Sequence, residues 1–263
     1  MEAREKFSGA AQGQGRMLCY EEGKKLLEQA GIPVAPCLVA RDVDGATEAG
    51  RTIGFPIVMK ILSPDIVHKS DVGGVVTGLR NEGEVSQAFY RMMAQVREKR
   101  PGVRIDGVII EKMIEGVEVA VGVTRDPQFG PVLMFGLGGI FVEVLKDVSF
   151  RLIPIDPQDA KEMIEEVKGY PLIRGYRGKQ GDLKSLKDLL LKVSNFITHH
   201  PEIAELDLNP VITSPSGSVV ADVRIRIDAY GSSSSCRPNA SLRDGGLPKA
   251  SSYRSGSIRN GRR

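Results

Sequence analysis

The chain has 263 residues, 41% hydrophobic and 26% charged, enough for one large domain or two small ones with a real core. Its net charge of +3 is concentrated at the end, where Gly231 to Arg263 carries seven Lys or Arg and the single acid Asp244, so charge makes no case for a nucleic-acid partner of the folded part. Three cysteines without a CxxC pair (Cys19, Cys37, Cys236) argue against a disulfide framework and a zinc site, and no apolar run reaches the roughly 20 residues of a membrane helix.

The N-terminal stretch lacks the apolar core of a signal peptide, which gives the expectation of a cytoplasmic protein with no membrane partner. Residues 1–15 are small, polar and Gly-rich and are expected to be mobile. Glu21 to Ala30 reads as a helix with Leu26, Leu27 and Ala30 inward, ended by Gly31-Ile32-Pro33. Val34 to Ala40 reads as a strand and Ala46 to Ile53 as a short helix closed by Gly54. Pro56 to Leu62 is an apolar run interrupted by Lys60, as in a buried strand. A polar loop, Ser63 to Gly74, follows with His68, Lys69, Ser70 and Asp71 in succession.

Glu84 to Lys99 repeats apolar residues at Val85, Ala88, Met92 and Val96, a helical stripe. Gly107 to Ile114 and Val117 to Thr124 are β-rich runs split by Glu115-Gly116, which predicts a hairpin. Short apolar runs follow around Leu133, Val142 and Leu152, then helices at Gln158 to Lys168 and Leu183 to His199. The last strands, Leu206 to Thr213 and Val219 to Ile227, flank Ser214-Pro215-Ser216-Gly217. Helices mixed with hairpins predict an α+β fold over residues 16–228 rather than a doubly wound sheet. Residues 229–263 lose all apolar periodicity and read as a disordered Ser/Gly/Arg-rich tail.

A tight turn between Pro215 and Ser216 sets Asn209 opposite Asp222 and Asp207 opposite Arg224. One face then shows Asp207, Asn209, Asp222, Arg224 and Arg226, and the other Leu206, Leu208, Val219, Ala221 and Val223. Carboxylate and amide oxygens suit Mg²⁺, although a solvated polar face would read the same way. Lys60 is costly to bury without an anionic partner. A nucleotide phosphate is one candidate, and an edge-strand lysine is the plain alternative. Glu111-Lys112-Met113-Ile114, with Glu118 following, could offer backbone groups and carboxylates to a nucleoside. Phe135 to Glu143 holds three glycines in four residues, which suits either a tight turn or a phosphate-facing loop, but the spacing is not that of a dinucleotide fingerprint.

Together these residues resemble the ATP-grasp superfamily, and within it the β subunit of archaeal-type ADP-forming acetate–CoA ligase. The runs that carry the resemblance are GFPIVMKILSPDIVHKSDVGGV (54–75), RDPQFGPVLMFGLGGIFVEVLKDVSFRLIP (125–154) and ELDLNPVI (205–212). It covers about Arg16 to Ile227 and leaves out the tail. The resemblance implies two α+β subdomains gripping a nucleotide, and a reaction interconverting acyl-CoA, ADP and phosphate with acid, ATP and CoA. By motif, Lys60 would bind nucleotide phosphates of ATP or ADP, while Glu111, the Met113 backbone and Glu118 would hold adenosine. Asn209 and Asp222 would hold Mg²⁺, Asp207 would sit beside a phosphorylated histidine, and His68 would itself be a phosphohistidine. A CoA-binding α subunit in an α2β2 heterotetramer is the implied partner. A succinate–CoA ligase-like or acyltransferase assembly, and a non-catalytic nucleotide-binding regulator, are the rival readings.

Overall fold

A computed structural model describes residues 15–66, 68–138, 147–178 and 180–228. The expected tail, the N-terminal segment up to residue 14 and the second half of the glycine-rich run lie outside these residues.

Two antiparallel sheets organise the described chain. The smaller has four strands in the order β2-β5-β3-β4, formed by Cys37–Ala40, Gly107–Lys112, Ile57–Leu62 and Val75–Leu79. The pleat sends Ile57, Met59, Ile61, Val108 and Ile110 to one face, where α2 (Val43–Ile53) and α3 (Glu82–Lys99) complete a core with Val85, Ala88, Met92 and Val96. Lys60, Ile109 and Glu111 take the opposite face, and Ile109 packs into the core of the larger sheet.

The larger sheet has seven strands. The main order is β1-β11-β9-β6-β7-β8, formed by Arg16–Met17, Val223–Ile227, Ile203–Ser214, Val117–Asp126, Gly130–Leu137 and Val148–Leu152. The remaining strand, β10 (Gly217–Val220), pairs with β9 beyond β11. Helices α1 (Tyr20–Gln29), α4 (Pro157–Glu166), α5 (Tyr170–Gly175) and α6 (Leu183–His199) add to this core through Leu27, Met163, Ile164, Ile173, Leu186, Leu190, Val193 and Ile197. Leu26 and Ala30 are only half-buried at its margin. These elements give the α+β architecture expected.

The helices start where side chains cap them. The Asp42 carboxylate accepts from the Gly45 N–H, so α2 begins three residues before the apolar stripe. Asn81 does the same for α3 through Glu84 N–H, and Asp156 for α4, with Pro157 in the first turn. The α5 helix was not predicted, because its six residues, with Pro171 in the first turn and Gly175 at the end, are too few to show a helical period.

The hairpin expected at Glu115-Gly116 does not form. β5 belongs to the small sheet and β6 to the large one, so these residues carry the chain from one sheet to the other. A side chain on Gly116 would meet the Thr213 carbonyl oxygen at 2.4 Å. A glycine between two β runs marks a break in pairing, and nothing in the local pattern distinguishes a reversal from a change of sheet.

Candidate functional site

The site is built where the two sheets face each other. Lys60 sits in the middle of β3, which is flanked by β5 and β4, so the edge-strand alternative is excluded. Lys60 is 7% exposed, and its ammonium donates to Glu111 Oε2 at 2.5 Å and to the Ala221 carbonyl at 2.9 Å. The anion that justifies burying Lys60 is therefore a side chain of the same sheet. Its second bond ties the small sheet to the segment between β10 and β11.

Glu111 is 2% exposed and accepts from the Tyr20 hydroxyl through Oε1 at 3.1 Å. Burial raises its pKa, while Lys60 and Tyr20 pull it back toward the ionised form. The Tyr20 hydroxyl is pushed far up by burial and the Glu111 charge. Beyond it, Cys37 Sγ lies 3.4 Å away and accepts from Lys24 Nζ at 3.2 Å. Tyr20 went unremarked in the sequence because an aromatic residue opening a helix looks like ordinary core.

Glu111, expected against adenosine, is thus engaged at both oxygens. The Met113 N–H donates to the Pro56 carbonyl at 3.2 Å. Glu118 is exposed at the start of β6, with its carbonyl accepting from Gly138 N–H at 2.8 Å. A Cβ on Gly138 would stand 3.0 Å from the Glu118 carbonyl carbon and the Val119 nitrogen. This contact brings the start of the glycine-rich run beside Glu118.

On β9 the predicted register holds. Asp207 pairs with Arg224, and rungs on both sides of Asp222 keep the same register, which puts Asp222 across from Asn209. The predicted faces hold only in part. Leu206, Leu208, Ala221 and Val223 are buried, but Val219 is half-buried and Val220 takes the core position. The parity changes because β6 and β9 shift register between Val119 and Val121, so buried positions run Leu206, Leu208 and then Val211, Thr213. The shift falls at Asn209-Pro210, the segment facing Ala221-Asp222.

Asp207 is half-buried, and its carboxyl is pushed up to about 6 by burial. Arg224 opposes the shift, Asp222 and Glu205 reinforce it, and a charge on His68 opposes it. His68 is exposed. In the unfolded chain the carboxyl titrates near 3.8, so the folded state holds a proton more tightly. The resulting contribution to stability is complete below about pH 4 and is lost as the pH rises through 6. Asp207→Asn is expected to remove this part of the pH dependence, about 1–2 kcal/mol after allowance for solvent screening. Denaturant unfolding of both proteins from pH 4 to 7.5 checks this, and identical slopes would rule it out.

A cleft of about 1260 Å³ opens on the same side, lined by Lys69, Asp207 and Arg224 with Leu62, Ile66 and Ile109 among its apolar walls. Its volume exceeds that of a typical small-molecule site. Lys60, Glu111, Met113 and Glu118 do not line it. The structure thus opens the Asp207 end of the predicted site and packs the Lys60–Glu111 end.

Among the described residues no group of three or more His, Cys, Asp or Glu is arranged to hold a metal. The donor set at Asn209 and Asp222 is carboxylate and amide oxygen, which fits Mg²⁺ that keeps water or phosphate at its other positions. A stand-in cation supports this fit, because Lys69 Nζ lies 2.8 Å from both Asp222 oxygens.

Two sheets closing on a lysine-and-carboxylate cleft define the class, and a family model described as an ATP-grasp domain matches residues 9–227. The chain is 46% identical over 217 residues to the acetate–CoA ligase [ADP-forming] I subunit β of Pyrococcus furiosus, covering 82% of this chain and 94% of that one. It is 50% identical over 206 residues to acetate–CoA ligase [ADP-forming] I of Archaeoglobus fulgidus, covering 78% of this chain but 30% of that longer one. A solved acetyl-coenzyme A synthetase 1 from Ca. Korarchaeum cryptofilum, in complex with coenzyme A and Ca-AMPCP, superposes with a TM-score of 0.77 at 43% identity, covering 85% and 96% of the two chains. The chain belongs to the ATP-grasp family, among the β subunits of ADP-forming acetate–CoA ligases.

Proposed function

We propose that this chain is the nucleotide-binding subunit of an ADP-forming acyl-CoA synthetase, which passes a phosphoryl group from a phosphohistidine to ADP. The observation that carries the reading is the convergence of Lys60, Lys69, Asp207 and Asp222 between the two sheets. Phosphoryl transfer asks a protein mainly to position the groups and neutralise their charge, and cations among carboxylates supply both. Mg²⁺ bound at Asn209 and Asp222 would add charge neutralisation to the transferring group.

In this reading Lys60 approaches the phosphates, Glu111 holds and orients Lys60, and Met113 and Glu118 face the nucleoside. Asp207, largely ionised at neutral pH even though burial raises its carboxyl to about 6, accepts a hydrogen bond from the ring of the histidine that delivers the phosphoryl group. His68 is a second carrier on this chain. The relative from A. fulgidus is much longer than this chain. In this reading the CoA and acyl chemistry belongs to a separate CoA-binding α subunit, assembled as α2β2.

The purified chain alone is therefore expected to form no ATP from acetyl-CoA, ADP and phosphate, and addition of a CoA-binding α subunit to restore turnover. ATP formation by the chain alone would refute the subunit reading.

A further inference from the structure

Lys69 follows His68 directly and reaches across to the break between β10 and β11. Its ammonium is 2.8 Å from both Asp222 oxygens, and the two side chains are 13% and 11% exposed. Shielding of that degree separates this pair from the solvated ion pairs elsewhere, such as Arg104–Asp106. The backbone beneath it is fixed as well. Gly74 N–H donates to the Lys69 carbonyl at 2.7 Å, and Ile61 N–H donates to the Gly74 carbonyl at 2.7 Å. A Cβ on Gly74 would lie 2.5 Å from Ile61 Cγ2 and 2.9 Å from the Lys69 oxygen. The His68-Lys69 segment is thus pinned to β3 at its base and to Asp222 at its tip.

Lys69 supplies the cation on Asp222 in this structure. A divalent ion ligated by Asp222 would take the same oxygens, so Lys69 and metal are alternatives there. We propose that Lys69 is a positioning residue: it is the counter-cation of Asp222 until metal displaces it, and its release sets the placement of His68. The ammonium, once displaced, is free to turn toward phosphate oxygens, so the His68 segment follows metal occupancy. The inference rests on the assignment of Asp222 as a metal ligand.

The test is Mn²⁺ binding to the full chain without nucleotide, followed by electron paramagnetic resonance. Lys69→Met is expected to bind Mn²⁺ at least about fivefold more tightly than wild type, since a competing cation is gone. Lys69→Arg should stay within about twofold of wild type. Hydrogen exchange over residues 66–74 should quicken with Mg²⁺ in the wild type. An unchanged or weaker Mn²⁺ affinity in Lys69→Met would overturn the proposal, as would wild-type exchange indifferent to Mg²⁺, a measurement that stands even if the variant misfolds. Asp222→Asn separates the two levels. If it binds Mn²⁺ as well as wild type, the metal assignment itself fails; if it loses Mn²⁺ while Lys69→Met stays at the wild-type level, only the displacement fails.

Discussion

Incubated with labelled ATP and Mg²⁺, the wild-type chain is expected to acquire an acid-labile, base-stable phosphoryl label, and His68→Ala is expected to lose it entirely. His68 is exposed and directly precedes Lys69, which lines the cleft wall together with buried Ile66. A neutral imidazole nitrogen can attack the γ-phosphorus as the bond to the bridging oxygen breaks and ADP leaves, and the cations around the cleft balance the charge on that oxygen. The geometry places no other histidine near the cleft among the described residues: His199 and His200 close α6, where His200 bonds Glu202. ADP affinity of His68→Ala should stay within a few fold of wild type, because the histidine is asked to carry the group and not to hold the nucleotide. A label that survives the substitution would remove the carrier role.

Lys60→Ala is expected to have two large effects with different causes. It leaves Glu111, 2% exposed, without its cation, and breaking a buried pair in this way costs about 3–5 kcal/mol of stability. It also removes the charge proposed to approach the nucleotide phosphates, for an expected loss of at least tenfold in ADP affinity, about 1.4 kcal/mol. The double change Lys60→Met with Glu111→Leu separates the two, because it removes both charges together. It should recover most of the stability and none of the affinity, as read by denaturant unfolding and calorimetry. Recovery of wild-type affinity in the double variant would show that Lys60 serves only to neutralise Glu111.

Local order was legible in the sequence wherever a period or a turn fixed it. The 3.6-residue stripe at Val85, Ala88, Met92 and Val96 faces a core, and α6 has the predicted ends Leu183–His199. The turn at Pro215-Ser216 alone set the pairing of Asp207 with Arg224. What the sequence could not show were contacts between distant segments. Lys60 stood out as an anomaly in an apolar run, but its partner Glu111 is 51 positions away, and Lys69 meets Asp222 across 153. Both lysines were visible; that they clasp the two sheets together was not. The register shift at Asn209-Pro210 escaped for a related reason, since an alternation read along one strand carries no record of a bulge set by its neighbour.

Titration of the purified wild-type chain with ADP in the presence of Mg²⁺, followed by calorimetry, is the most direct measure of whether the two sheets grip a nucleotide. A single saturable site per chain, weakened at least tenfold by removal of Mg²⁺ or by the Lys60–Glu111 double change, is the predicted result. Absence of saturable binding at millimolar ADP and Mg²⁺ would contradict it.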